Sequence, residues 1–192
     1  MGVYKLSTAG GLATPRTNYS SFLAGNPVFV PPSYESIATT TLSSSQSTIT
    51  FSSIPATFKH LQIRCLVQAN TSGNSALSLN YNSDTTASNY YRHALLGDGS
   101  SASTQEAQQF YAGSLTDNAW ASNIIDILDY TNTSKYKTTR CLAGRENNST
   151  GSVFFTSHLW MNTNAISTIV VSAPSANFIQ YSQFALYGIK GA

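Results

Sequence analysis

The segment FKHLQIRCLV, residues 58–67, carries the pattern that decides the fold of this 192-residue chain. Successive side chains of a β-strand point to opposite faces, so a strand with one buried face alternates along its length. Here one set comprises Phe58, His60, Gln62, Arg64 and Leu66, and the other comprises Lys59, Leu61, Ile63, Cys65 and Val67. The alternation predicts a half-buried strand whose second set faces the core.

About ten strands of this kind are predicted, separated by Asn, Gly, Ser and Pro clusters such as ENNSTGS and SAPSAN. The first two flank a Ser-rich turn and predict a hairpin, and Gly97-Asp98-Gly99 predicts another turn. Residues 109–112 form either a short strand or part of one helical turn. The remaining predicted strands span 36–42, 47–51, 58–67, 76–81, 90–96, 121–130, 137–143, 153–161, 166–172 and 178–189.

No amphipathic helix and no fixed-period repeat is evident, which disfavours propellers and solenoids. The expected fold is therefore all-β, an antiparallel β-sandwich of two sheets, with the jelly roll as its expected version.

The composition is unusually poor in charge. Charged residues make up 9% of the chain and hydrophobic residues 41%, whereas roughly 25% of residues are charged in ordinary proteins. The net charge is +2, and a nucleic-acid-binding protein would show a denser basic face. We therefore expect no nucleic-acid partner, and we interpret the group Lys135, Lys137, Arg140 and Arg145 as solubilising cations on strand surfaces.

Residues 1–35 differ from the rest of the chain. Gly and Pro recur too closely for a helix or strand of ordinary length, yet large apolar residues are present that flexible linkers lack. The segment is predicted to be an extended arm, followed by a β-sandwich domain at 36–192. At ~3.3 Å per residue it could reach on the order of 100 Å. It would dock on a neighbouring subunit or, alternatively, fold back along its own domain. Its predicted anchors are Tyr4, Tyr19, Phe22, Leu23 and Phe29.

Two predicted strands are apolar on both faces. Residues 153–161 place Val153 and Phe155 on one face and Phe154 and Trp160 on the other, and residues 178–189 behave similarly. A solvated outer face should be polar, so an arm, a loop or another subunit must cover the second face. We favour a homo-oligomer, because subunit interfaces are rich in aromatic residues and poor in charge. The predicted interface residues are Trp160, Ile179, Tyr181, Tyr187 and Ile189.

No motif for catalysis, metal binding or cofactor binding occurs among the eight acids and three histidines. Unless a bulge intervenes, Asp126 and Asp129 cannot flank one substrate, because residues three apart on a strand point to opposite faces. Structural roles are expected for both, such as capping a turn or pairing with Arg140. We expect packed or hydrogen-bonded roles for His60, His93 and His158, no metal, no cofactor and no enzymatic activity.

The two cysteines, Cys65 and Cys141, are interpreted as buried free thiols, although a disulfide between them is left open. No apolar run is long enough for a signal peptide or a membrane span, which predicts a soluble protein made in a cytoplasm. Polar loops such as ANTSGNS, close to aromatic residues, indicate either plain turn chemistry or a sugar-binding surface.

Several stretches resemble small structural proteins of tailed bacteriophage virions: TPRTNYSSFLAGN, SIPATFKHLQIR, NYYRHALLGDGS, IDILDYTNTSKYKTTR and NFIQYSQFALYGIK. The resemblance implies a trimer of jelly-roll-like domains held by an extended terminal arm, with no catalytic residues. It implies a place on the virion surface after assembly in the host cytoplasm. The expected role is capsid decoration, in which a cement protein clamps neighbouring major capsid proteins. The alternative is a tail-fibre or tail-tip component that contacts host surface polysaccharide.

Overall fold

The computed structural model describes residues 33–71, 75–108, 111–117, 119–148 and 150–191. The chain divides into two units, Met1–Ser33 and Tyr34–Ala192. The predicted anchors Tyr4, Tyr19, Phe22, Leu23 and Phe29 lie outside the described residues, so they stay predictions. The second unit begins with a strand at Tyr34, two residues before the predicted boundary.

The described residues of the second unit form twelve strands and a single-turn 3₁₀ helix at Ala87–Asn89. All strand pairs are antiparallel, which confirms the predicted all-β sandwich. The strands are β1 (Tyr34–Thr41), β2 (Thr48–Phe51), β3 (His60–Val67), β4 (Ser75–Tyr81), β5 (Tyr90–Gly97), β6 (Ala102–Ala107), β7 (Tyr111–Leu115), β8 (Ala121–Leu128), β9 (Lys137–Arg145), β10 (Ser152–Trp160), β11 (Ile169–Ser172) and β12 (Gln183–Ile189).

The strand order has jelly-roll connectivity. The larger sheet runs β1-β12-β3-β8-β9-β10-β5-β6, and the smaller runs β2-β11-β4-β7. Without β5, β6, β9 and β10, the remaining eight strands, counted along the chain, lie in the orders first-eighth-third-sixth and second-seventh-fourth-fifth. These orders are the strand connectivity of a jelly roll. The four other strands are insertions that extend the larger sheet on one side.

The alternation in residues 58–67 places the core as predicted. Leu61, Ile63 and Val67 are fully buried on β3, whereas Arg64 and Leu66 are exposed. Lys59 and Phe58 are exceptions, because β3 begins only at His60: Phe58, in the predicted outward set, is buried. Gln62 of the outward set is buried as well. The Lys59 ammonium points outward and lies 2.8 Å from the Asp129 carboxylate.

The two cysteines are free and buried. They lie on β3 and β9, with β8 between them. Two strand spacings of ~4.8 Å separate their backbones by about 10 Å, whereas a disulfide needs Cα atoms within about 7 Å. Burial raises the pKa of Cys141 to about 12 and raises that of Cys65 further. These thiols therefore serve as packing groups, and the disulfide alternative is excluded.

Three local predictions differ from the structure. The expected hairpin of 36–42 with 47–51 is wrong, because β1 pairs with β12 and β2 pairs with β11 in the other sheet. The strand β6 was not predicted, because its sequence ASTQEA does not alternate apolar with polar residues. All but one of its residues are exposed. Residues 178–182 are not a strand, because Tyr181 adopts a φ of 72° and turns the chain before β12.

Candidate subunit interface

A row of apolar side chains crosses the outer face of the larger sheet. Strand pairing places Ile124 of β8 opposite Leu142 of β9, Leu142 opposite Phe155 of β10, and Phe155 opposite Leu95 of β5. Their exposed fractions are 41%, 52%, 50% and 53% in that order. Directly opposed side chains have Cβ atoms ~5 Å apart, so the four form one continuous apolar band.

Two more exposed residues widen this band. Val153, 56% exposed, lies two residues before Phe155 on the same face of β10. Leu66, 44% exposed, lies opposite Ser122, diagonal to Ile124. We call the six residues the outer stripe: Leu66, Leu95, Ile124, Leu142, Val153 and Phe155.

The outer stripe is large for the surface of a monomer. Each half-exposed large side chain contributes roughly 80–100 Å², so the six present on the order of 500 Å² of apolar surface. The largest apolar patch on an ordinary monomer covers about 300–600 Å² and is often functional. The same strands bury their other faces, as at Ile125 and Cys141, so the core does not require the outward apolar residues.

A polar border runs beside the outer stripe, one row further along the same strands. It places Asp126 of β8 opposite Arg140 of β9, and His93 of β5 opposite Glu106 of β6. Gln62 of β3 donates to the Asp126 carboxylate at 2.7 Å. His93 Nε2 lies 3.4 Å from the Glu106 carboxylate. An apolar centre with a mixed-charge border is the anatomy of a protein–protein interface.

Trp160 was predicted to lie on the subunit interface, but the structure places it in the core of its own domain. It is 1% exposed, and its indole Nε1 donates to the Asp84 carboxylate at 2.8 Å. Its ring lies 5.5 Å from the Tyr81 ring and 6.5 Å from the Tyr90 ring, measured between centroids. Trp160 is on the inward face of β10, so this strand presents Val153 and Phe155 outward instead.

The other predicted interface residues lie near the β1 edge of the larger sheet or in the turn before β12. Tyr181 is 65% exposed, and Ile179, Tyr187 and Ile189 are partly buried. The Arg64 guanidinium lies 5.7 Å from the centroid of the Tyr187 ring, which covers part of that ring within the same chain. A role for these four residues in subunit contact stays a prediction.

The sequence identified only part of the outer stripe. It indicated that residues 153–161 are apolar on both faces, which includes Val153 and Phe155. Leu95, Ile124 and Leu142 were missed, although each is an apolar residue at an outward position of a predicted strand. Their significance depends on cross-strand register, which aligns them with Phe155.

Asp126 and Asp129 both make structural contacts. Asp126 lies on β8 and accepts the hydrogen bond from Gln62. Asp129 lies in the following turn with a φ of 47°. Hydrogen bonds from Lys135 and Lys59 lower the pKa of the Asp129 carboxyl to about 2.

The three histidines have different surroundings. His60 Nδ1 accepts the backbone N–H of Asp129 at 2.9 Å, and His93 is exposed beside Glu106. His158 is buried, and its Nε2 lies 2.7 Å from the backbone oxygen of Tyr111. Within the described residues, no three His, Cys, Asp or Glu side chains are grouped so that they could hold a metal ion.

Lys137 corrects the interpretation of the basic group as a set of surface cations. It is 1% exposed, because it occupies an inward position of β9. Its ammonium donates to the backbone oxygens of Asn132, Lys135 and Thr163 at 2.6, 3.2 and 2.9 Å. This lysine therefore joins the loop before β9 to the segment after β10.

No protein-family model, no curated protein and no solved structure matches this chain. Among the described residues, no helix has the length and apolar character needed to cross a membrane.

Proposed function

We propose that this protein is a structural subunit of a bacteriophage virion, a decoration or cement protein that self-associates and clamps neighbouring capsid subunits. The observation that carries the proposal is the outer stripe, an apolar band across five adjacent strands of a chain in which only 9% of residues are charged. Covering such a surface with another protein is favourable, because apolar area is removed from water.

We take a second copy of the chain to be what covers the outer stripe. A standard interface buries about 800 Å² per partner. The outer stripe supplies on the order of 500 Å² of this area, and the polar border can supply the remainder. The border contains Asp126 and Glu106 as well as Arg140, so two copies related by symmetry can place opposite charges against each other. The resemblance to virion proteins favours three copies.

The arm supports the decoration role. Residues 1–35 carry large apolar side chains and are long enough to bind a neighbouring subunit. Contacts that exist only in the assembled shell stabilise that shell by mass action.

The interface is tested by Phe155→Asp combined with Leu142→Asp. Light scattering should show a multimer for the wild type and a monomer for the double variant, since two buried carboxylates would lack partners. Tyr136→Asp is the matched control, because Tyr136 is also 50% exposed but lies outside the outer stripe. It should leave the mass unchanged. A monomeric wild type, or an oligomer unaffected by the double substitution, would refute the interface.

The location is tested separately on purified phage particles with gold-labelled antibodies against the chain. Label over the capsid supports decoration. Label confined to the tail would replace decoration by the tail-fibre alternative, and particles without the chain would refute both roles.

A further inference from the structure

A groove lies on the inner side of the larger sheet, between the inserted strands and the smaller sheet. Its volume is about 310 Å³. Strands β5, β6 and β10 form one wall, and β4, β7 and the turn after β11 form the other. The residues that matter below are Ser75, Arg92, Gln105, Tyr111, Phe154 and Ser175.

Among the described residues, Arg92 is the only charged one that lines this groove. Its guanidinium lies 5.2 Å from the centroid of the Tyr111 ring, and its Nη2 donates to Gln105 Oε1 at 3.1 Å. These contacts hold the planar guanidinium in one orientation. Its Nε is buried and has no hydrogen-bond partner among the described residues.

No ion pair found among the described residues includes Arg92. Burial lowers the pKa of this guanidinium, which reflects the cost of removing it from water. A partly buried cation normally has an anionic partner, because the unpaired charge loses hydration without compensation.

His158 lies close to the groove but adds no charge to it. It contacts the carbonyl of Tyr111, on the strand that also lines the groove. Burial, together with the charge of Arg92, keeps the pKa of His158 at about 4, so its imidazole is neutral at pH 7. In the part of the chain that the structure describes, the groove therefore carries one positive charge, that of Arg92, whose Nε has no hydrogen-bond partner.

We propose that this groove binds an acidic sugar, a uronate whose carboxylate is held by Arg92. A guanidinium presents a planar fork of donors that matches a carboxylate. The Ser75 and Ser175 hydroxyls, the Gln105 amide and the Phe154 ring provide the mixed polar and aromatic lining that suits a sugar ring. The volume lies at the lower end of the ~300–1,000 Å³ range of small-molecule sites and suits one or two rings.

This inference does not rest on the outer stripe or on the virion role. The groove is on the inner side of the larger sheet, whereas the outer stripe is on its opposite face. One subunit can carry both the groove and the interface, so a negative result for one proposal does not affect the other.

The test follows the Arg92 Nε–H signal by NMR while glucuronate is added to the full chain. We expect this signal to shift and to saturate at millimolar glucuronate, and we expect glucose, the neutral counterpart, to leave it unchanged. Arg92→Gln should weaken glucuronate binding at least tenfold. Arg64→Gln is the control, because Arg64 lies on the outer face and its Nε already donates to Gln62; it should bind like the wild type.

Three results would overturn the proposal. The first is an Arg92 signal that glucuronate leaves unshifted, and the second is full affinity retained by Arg92→Gln. The third is binding of acetate or N-acetylglutamate as tight as that of glucuronate, which would show that the groove takes a carboxylate, such as that of an acidic peptide, without recognising a sugar.

Discussion

Acidification should destabilise this domain between pH 6.5 and pH 4 through His158. The side chain is 2% exposed, and its contact to the Tyr111 carbonyl requires a proton on Nε2, so the folded state holds the neutral tautomer with Nδ1 unprotonated. Burial is the main cause that lowers its pKa from 6.5 to about 4. The unfolded chain therefore binds a proton at a higher pH than the folded chain does.

The sign and size of the effect follow from linkage. Above pH 6.5, His158 is neutral in both states and does not change the free energy of unfolding. As the pH falls towards 4, protonation of the unfolded chain increasingly favours unfolding. A difference of about 2.5 pKa units corresponds to about 3 kcal/mol of stability lost across that window. Asp129, with its pKa lowered to about 2, loses its contribution only below about pH 4, so the two windows are separate.

Urea unfolding measured from pH 8 to pH 4 tests this with His158→Gln, in which an amide N–H can still donate to Tyr111. The wild type should lose about 3 kcal/mol, and the variant should lose much less. His93→Gln, at an exposed position, should keep the wild-type dependence. If His158→Gln has the same pH dependence as the wild type, the buried neutral histidine is not its source.

Two further substitutions test the local structure by urea unfolding. Lys137→Met leaves the carbonyl oxygens of Asn132, Lys135 and Thr163 without their donor and should cost about 3 kcal/mol. Lys135→Met, at an exposed side chain, should cost less than about 1 kcal/mol; a similar cost for both would contradict the role of the buried ammonium. Tyr181→Gly should be about 1 kcal/mol more stable than Tyr181→Ala, because glycine adopts a φ of 72° without strain. Equal stability of the two variants would show that this turn is not strained.

Much of the candidate interface could not be read from individual segments. The sequence showed that residues 153–161 are apolar on both faces, but it did not show which face joins the core. Trp160 is larger than Val153 and Phe155 on the other face, and it was predicted to contact another subunit. It is buried instead, because Tyr81, Tyr90 and Asp84 surround it.

The groove was also beyond the sequence. Arg92, Gln105 and Phe154 come from three strands of the larger sheet, whereas Tyr111 and Ser75 belong to the smaller sheet. None of them forms a motif, and β6 was not predicted at all. Only the arrangement of the two sheets shows that Arg92 has no anionic partner among the described residues.

The sequence by itself determined the all-β class, the positions of most strands and the buried set of β3. These depend on alternation, which is a local property of each strand. The tertiary structure alone decided the jelly-roll connectivity, the burial of Lys137 and the alignment of Leu95, Ile124, Leu142 and Phe155 in one row. Those features depend on register between strands that are distant along the chain, and no single strand encodes its partner.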